Sequence, residues 1–179
     1  MRSNTDSQKF TSLTVVRAGL FISMSLALKV MFEIYIPLSG IPALRINFAS
    51  IPLMLSGIIL GPFTGFVTGA AADIINFIAK PGGPFFPGFT LASGLTGFLP
   101  GIVFKYVKKD EFGMGKTVLA VSLTQLITSI ILNTCFLYIL YGIGITITLP
   151  ARILTNLFTI PVYSLIIGAV LKALNGRIK

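Results

Sequence analysis

The stretch Lys80–Thr90, KPGGPFFPGFT, lies between two long apolar segments and divides the chain into helical spans. It holds three of the ten prolines and three of the eighteen glycines. Proline lacks a backbone donor and fixes φ, whereas glycine admits positive φ, so this stretch cannot continue a helix. It predicts a stiff loop that presents the rings of Phe85 and Phe86 and the ammonium group of Lys80. We expect this loop to belong to a binding site at one membrane face.

The composition around this loop is that of a membrane protein. Apolar residues make up 54% of the 179 residues and charged residues only 11%, whereas soluble domains carry about 25% charged residues. A spanning helix needs about 20 apolar residues. The charge-poor stretches predict an all-α integral membrane protein with one domain over residues 1–179. Its six transmembrane helices are expected at about residues 12–33, 47–60, 62–80, 88–107, 117–141 and 150–174.

The net charge of +9 comes from cations that are concentrated in a few places. Ten of the fourteen Lys and Arg residues lie near the termini or between the fourth and fifth predicted helices: Arg2, Lys9, Arg17, Lys105, Lys108, Lys109, Lys116, Lys172, Arg177 and Lys179. The positive-inside rule makes this side cytoplasmic and places both termini inside the cell. The basic excess therefore indicates topology, and nucleic-acid binding is not expected.

Small residues recur at every fourth position along two helical faces. One ridge crosses the turn between the second and third helices and is formed by Gly57, Gly61, Gly65 and Gly69. Another lies on the first helix and is formed by Gly19, Ser23 and Ala27. Small residues let helices approach closely in a membrane, so the glycine ridge predicts packing. The ridge on the first helix either packs inside the bundle or forms a groove for a partner's helix.

Cationic and aromatic side chains collect at the extracellular ends of the predicted helices. The cations are Arg45, Lys80 and Arg152, and the whole chain holds only five acidic residues. Guanidinium groups bind carboxylates through paired hydrogen bonds, and the adjacent rings of Phe85 and Phe86 offer flat surfaces for stacking. This combination predicts an anionic, planar ligand.

The third predicted helix carries Asp73, Asn76 and Lys80 on a single face. An ionisable residue within a span costs about 2.5–3.5 kcal/mol on the lenient insertion scale. Asp73 is therefore expected to face the bundle interior or a polar partner. It acts either as a structural hydrogen-bond anchor or as a ligand contact.

The residues that most enzymes need are missing from the sequence. There is no histidine and only one cysteine, so no cluster has metal-ligand spacing. Asp73 has no second carboxylate deep in a span for paired acid–base chemistry. No phosphate-binding GxxxxGK[ST] loop is present, so the chain is not expected to hydrolyse ATP. These features predict a non-catalytic protein without cofactor or metal, which takes its energy from another subunit.

Three runs carry a resemblance to a known family: Gly61–Asp73 (GPFTGFVTGAAAD), Pro84–Thr90 (PFFPGFT) and Gly97–Gly101 (GFLPG). Together with six spans and inside termini, they resemble the folate-specific S components of energy-coupling factor (ECF) transporters over essentially the whole chain. Gly-Pro followed by a glycine ladder and Asp is similar to S components in general. The stretch Gly83–Thr90 is similar to the folate branch.

The resemblance implies a substrate-binding subunit in the bacterial plasma membrane. Such a subunit captures its vitamin outside the cell, under loops that follow the first, third and fifth spans. It then docks on a module of one membrane coupling protein and two cytoplasmic ATPases, and toppling carries the site towards the cytoplasm. The family docks through Ala-xxx-Ala on the first span. The matching positions here are Gly19 and Ser23, and Ala27 extends the same ridge.

Folate, implied as the ligand, suits the predicted site because it joins a flat pterin, an aminobenzoyl ring and two carboxylates. The residues expected to bind it are Arg45, Asn47, Asn76, Lys80, Phe85, Phe86, Asn133, Tyr138, Arg152 and Asn156. Rings would flank the ligand rings, asparagines would bond the pterin edge, and cations would hold the carboxylates or a pterin carbonyl. The alternatives are an S component for riboflavin, pantothenate or thiamine, a small membrane enzyme, and a scaffold subunit without a ligand.

Overall fold

The computed structural model describes residues 12–38, 41–79, 85–107, 113–142 and 144–175. In chain order its elements are α1 (Ser12–Phe32), β1 (Glu33–Leu38), β2 (Ile41–Asn47), α2 (Ser50–Leu60), α3 (Pro62–Ala79), α4 (Pro87–Tyr106), α5 (Met114–Gln125), a π-helical segment (Leu126–Leu132), α6 (Asn133–Tyr141) and α7 (Ile145–Asn175). Among the described residues, five helices are long and apolar enough to cross a membrane, with α5, the π-helical segment and α6 forming one of them. The predicted helical membrane bundle is confirmed, whereas the six spans and the side of the termini stay predictions.

The segment expected as an irregular outer loop between the first two helices is a β-hairpin. Its strands pair antiparallel, with Glu33 opposite Asn47 and Tyr35 opposite Arg45. The pairing is irregular between Ile36 and Leu38, around a proline that has no N–H to donate to the ladder. Isoleucine and tyrosine favour strands, and two paired strands satisfy backbone groups that an irregular loop would leave to water. The second helix consequently begins at Ser50, three residues later than expected.

The short helix α2 lies at the centre of the bundle. All its residues from Ile51 to Gly57 are buried, as expected for a helix that is apolar on every side. A hydrophobic core cluster joins α2 to α5 and α7 and contains Ile51, Met54, Leu55, Val121, Tyr163, Ile167 and Leu171. The core therefore surrounds α2, and the longer helices expose apolar side chains outward.

Helices α2, α3 and α4 touch through their backbones at the predicted glycine ridge. A Cβ atom on Gly57 would lie 1.7 Å from the carbonyl oxygen of Gly97, and one on Gly97 would lie 2.1 Å from the carbonyl oxygen of Gly65. No side chain fits at either place. The turn between α2 and α3 needs glycine for a second reason, since Gly61 has a φ of 95°. The packing prediction for these glycines is confirmed.

The last two spans depart from regular α-helices. Seven residues between α5 and α6 form the π-helical segment, in which the N–H of Asn133 donates to the carbonyl of Thr128, five residues back. Helix α7 begins at Ile145, five residues before the expected start at Pro150. The β-branched residues there lower helix propensity only slightly, and the hydroxyl of Thr148 donates to the carbonyl of Gly144 at 3.4 Å. The predicted outer loop is shortened accordingly.

Candidate functional site

A polar cavity of about 60 Å³ lies between α1, β2, α2, α3 and α4. It brings together two predicted ligand residues, Asn47 and Asn76, with Lys29, Asp73 and Ser93 also in its lining. Ligand pockets for drug-sized molecules measure about 300–1,000 Å³. The cavity is therefore large enough for water molecules or one polar group, but a whole vitamin does not fit in it.

Asn47 has a structural role at the edge of this cavity. Its side-chain oxygen accepts a hydrogen bond of 2.9 Å from the N–H of Ala49, just before α2 begins. Its backbone carbonyl accepts a hydrogen bond from the hydroxyl of Tyr163 on α7. Asn47 thus fixes the junction of β2 and α2 against α7. These hydrogen bonds therefore connect β2 with α7, and both elements carry residues of the predicted site.

Asp73 faces the first turns of α4. One carboxylate oxygen accepts a hydrogen bond of 2.8 Å from the hydroxyl of Thr90, and the other accepts one of 3.4 Å from the hydroxyl of Ser93. Sequence reasoning expected a polar partner for Asp73 without naming it. The spacing of Thr90 and Ser93, three residues apart, was the available signal.

The rings at the start of α4 form a cluster with α6. Phe86, Phe89 and Phe136 contact each other edge to face, with centroids 5.3–6.0 Å apart. Phe85 lies apart from them: it contacts Phe77 at 5.1 Å and is 48% exposed. The two adjacent rings of the proline-glycine loop therefore have different surroundings. Sequence reasoning missed Phe136, because a phenylalanine in an apolar span carries no signal of its own.

The predicted residues Arg152 and Asn156 on α7 both reach the π-helical segment. A guanidinium nitrogen of Arg152 donates to the carbonyl of Ser129 at 3.0 Å, and the side-chain amide of Asn156 donates to the hydroxyl of Ser129 at 3.3 Å. Asn156 is only 3% exposed. Ser129, absent from the predicted set, is thus the residue that holds both. The π-helical register that presents it cannot be read from side-chain periodicity.

Two further predicted residues, Asn133 and Tyr138, lie on α6. Asn133 is half-buried at the end of the π-helical segment, and Tyr138 is exposed near the end of the helix. Arg45 lies in β2 opposite Tyr35, and its side chain lies outside the described part of the structure, as does all of Lys80. Among the predicted residues, Asn47 and Asn76 thus line the same cavity, and Arg152 and Asn156 bind the same serine, Ser129. They form two separate groups.

Six buried threonine hydroxyls in this bundle bind a backbone carbonyl of their own span. The hydroxyls of Thr68, Thr96, Thr124, Thr128, Thr155 and Thr159 each donate to the carbonyl four residues back. Thr134, 4% exposed, is the buried side chain without a hydrogen-bond partner in the described part of the chain. Four residues before it lies the π-helical segment, where backbone bonds run five residues back. Thr134 therefore offers a donor next to the predicted Asn133.

The predicted docking ridge on α1 lies on the surface of the chain. Gly19, Ser23 and Ala27 are all exposed, and no atom of the described residues lies within 4 Å of the place where a Cβ atom of Gly19 would stand. The hydroxyl of Ser23 donates to the carbonyl of Gly19 at 2.9 Å. The opposite face of α1 meets the bundle at Ser25, which donates to the carbonyl of Ala49. The described residues of the bundle therefore do not cover the ridge.

Comparisons with known proteins agree with this architecture. The chain is 27% identical over 152 residues to the folate transporter FolT of Clostridium novyi (strain NT), which covers 85% of this chain and 86% of that protein. A crystal structure of FolT bound with folic acid superimposes with a TM-score of 0.73 at 27% identity, over 88% of this chain and 95% of that chain. The S component of a bacterial ECF transporter matches in fold, with a TM-score of 0.61 at 19% identity over 93% and 98% of the two chains.

The strongest assignment comes from the family model described as "ECF transporter, substrate-specific component", which matches residues 13–173. This match spans nearly all the described residues and confirms the resemblance found in the sequence. A substrate-specific component is one part of a larger transporter, and five apolar helices make this chain a multi-pass membrane protein. The chain belongs to the family of substrate-specific components of ECF transporters.

Proposed function

We propose that this chain captures folate outside the cell and delivers it for ATP-driven uptake through an ECF module. The observation that carries the proposal is the likeness to FolT with bound folic acid, at 27% identity over 88% of this chain. The relative from Clostridium novyi, a folate transporter, supports the same ligand. The chain would act in the bacterial plasma membrane as a binding subunit without catalytic activity of its own.

In this proposal the aromatic cluster and the polar groups of α6 and α7 act on different parts of folate. Rings at the start of α4, with Phe86 at the centre, would flank the pterin or benzoyl ring, because flat rings stack favourably. Asn76, Asn133 and Asn156 would form hydrogen bonds with the edge of the pterin. Arg45, Lys80 and Arg152 would hold the two carboxylates or the pterin carbonyl, since charge-assisted bonds to carboxylates are the stronger ones.

The first experiment is an absorbance spectrum of the purified chain, followed by titration with folate. Folate absorbs in the near ultraviolet, beyond the protein band, so bound ligand is visible directly. A competition series with riboflavin, pantothenate and thiamine then identifies the preferred vitamin. A chain that carries no ligand band and binds no added folate would contradict the proposal, and displacement by another vitamin alone would replace folate as the ligand.

The partner in this proposal is a module of one membrane coupling protein and two cytoplasmic ATPases. The exposed ridge of Gly19, Ser23 and Ala27 supports docking through α1, because small residues let a partner helix approach closely. Ser23→Leu places a bulky side chain in the middle of this ridge. We expect folate uptake by vesicles that contain the chain and the module to fall about tenfold or more. A tenfold weaker association of the chain with the module corresponds to about 1.4 kcal/mol of binding free energy.

The matched control for this variant is Met24→Phe, because Met24 is also exposed on α1 but points about 100° around the helix from Ser23. It should leave uptake unchanged. Folate binding by the isolated chain should be unchanged in both variants, which separates docking from capture. Normal uptake by Ser23→Leu would remove this ridge from the docking surface.

A further inference from the structure

We propose that Asp73 is a positioning residue, whose carboxylate holds the first turns of α4 through Thr90 and Ser93 and thereby fixes the rings of Phe86 and Phe89. The inference concerns the proposed folate site and rests on that function for its affinity readout. A second readout, in the protein without ligand, is independent of it.

The first observation is that both carboxylate oxygens already have donors. Thr90 donates to one at 2.8 Å and Ser93 to the other at 3.4 Å, and all three residues are half-buried. A carboxylate in a membrane helix must be satisfied by protein groups or water, since lipid offers no partners. Two hydroxyls from one neighbouring helix supply that satisfaction, and they tie α3 to α4.

The second observation is that the register of the two helices is set directly below this contact. A Cβ atom on Gly69 would lie 2.1 Å from the carbonyl oxygen of Ser93, so the backbones touch there. One turn further along α3 brings the chain to Asp73, and one turn back along the antiparallel α4 brings it to Thr90. The glycine contact therefore sets the two polar side chains opposite each other.

The third observation is that the same turn of α4 carries the aromatic cluster. Phe89 directly precedes Thr90, and its ring contacts that of Phe136 on α6 at 6.0 Å. Phe86, at the start of α4, contacts the same ring of Phe136 at 5.3 Å. The start of α4 is thus held on one side by hydrogen bonds to α3 and on another by rings against α6. Loss of the hydrogen bonds would leave only the ring contacts to define the ring positions.

The ligand-free test places 4-fluorophenylalanine at position 86 and records its ¹⁹F resonance. Asp73→Asn and Thr90→Val should each shift or broaden the resonance, because both loosen the first turn of α4. Thr90→Ser, which keeps the hydroxyl, should restore the native resonance. The control Thr68→Val removes a buried hydroxyl that bonds only its own helix and should have no effect. A native resonance in both Asp73→Asn and Thr90→Val would overturn the proposal.

The affinity test is a double-mutant cycle on folate binding. Because Asp73 acts through Thr90, each single variant should weaken binding about tenfold, and the double variant should differ from them by no more than about twofold. Thr90→Ser should bind within about twofold of the native chain. Effects that multiply, to about a hundredfold in the double variant, would mean that Asp73 contacts folate directly and would overturn the positioning role. If the native chain binds no folate, the proposed function fails, while the ¹⁹F result still decides the role of Asp73.

Discussion

Two regions of this bundle are held together by opposite means. Helices α2, α3 and α4 meet backbone to backbone at Gly57, Gly65 and Gly97, with no room for a single added carbon atom. Helices α5, α6 and α7 meet through polar side chains at the π-helical segment, where Ser129 binds both Arg152 and Asn156. One contact depends on the absence of side chains and the other on their chemistry.

The difference teaches where a binding site fits into a small membrane bundle. Close glycine packing lies beside a cavity of about 60 Å³ among the described residues, so this region serves as a frame. A π-helical segment is uncommon and often lies at functional sites, because it redirects side chains and backbone groups. In the described part of the chain it lies beside the buried hydroxyl of Thr134, which has no hydrogen-bond partner there, and beside the predicted ligand residues Asn133, Arg152 and Asn156. Polar groups of the proposed site thus collect where helix regularity is broken.

The largest effect is expected from breaking the glycine contact. In Gly57→Ala the new methyl group would stand 1.7 Å from the carbonyl oxygen of Gly97, a backbone atom that cannot turn away. Helices α2 and α4 must then separate, at a cost of about 3 kcal/mol or more. Thermal unfolding of the purified protein in detergent measures the loss, and a fall of about 6–12 °C is expected for a chain of this size.

Gly19→Ala is the matched control, because the same methyl group on α1 meets no atom of the described residues within 4 Å. Its melting temperature should stay the same or rise slightly, since alanine favours a helix over glycine by about 1 kcal/mol. Equal melting temperatures for Gly57→Ala and the native chain would show that the glycine frame is not rigid.

An intermediate effect is expected from removing the cations of the proposed site. Arg152→Ala and Arg45→Ala should each weaken folate binding at least tenfold, which is about 1.4 kcal/mol. Arg152 lies at the π-helical segment through its bond to the carbonyl of Ser129, so its loss tests the polar region alone. Titration calorimetry gives the affinity. Unchanged binding in both variants would remove these arginines from the site.

The smallest effect, and one of opposite sign, is expected at Thr134. An unsatisfied buried hydroxyl is unfavourable, so Thr134→Val should raise the free energy of unfolding by about 1 kcal/mol. Thr124→Val removes a buried hydroxyl that donates to the carbonyl of Ala120 at 2.7 Å and should lower it by about 1 kcal/mol. Unfolding of the two variants under the same conditions gives the comparison. A loss of stability in Thr134→Val as large as in Thr124→Val would mean that the hydroxyl of Thr134 has a partner.

Much of the fold could be predicted, because membrane helices and glycine ridges can be recognised from short stretches of sequence. Apolar length indicated the helices, and the four-residue glycine period indicated their close packing. The paired strands Glu33–Leu38 and Ile41–Asn47 could not be predicted, because the stretch between the first two predicted helices carries prolines and a glycine, which favour an irregular loop. The π-helical segment was also missed, since a register shift of one residue leaves no mark in an apolar run.

The candidate site was predictable as a set of residue types but not as a set of contacts. The interrupting polar residues Arg152 and Asn156 were found because charged and amide groups are rare in apolar helices. Their common partner Ser129 was not, because serine is ordinary in a membrane helix. Phe136 as the ring partner of Phe86, and Thr90 as the hydrogen-bond donor to Asp73, were missed for the same reason. Contacts between helices depend on how each helix is rotated about its axis and in which register it packs, and residue types alone do not reveal either.

The sequence by itself determined the class of protein, its helical character and the family, because hydrophobic length and short glycine-proline motifs are local properties. Its six spans and the role of the proline-glycine stretch in a binding site stay predictions. Only the tertiary structure decided that Phe85 and Phe86 have separate surroundings, that the described residues leave the ridge on α1 uncovered, and that Asp73 faces Thr90. The last of these depends on how closely glycines let α3 and α4 approach, and all three depend on how helices are rotated and packed against each other, which arises only when the whole bundle is formed.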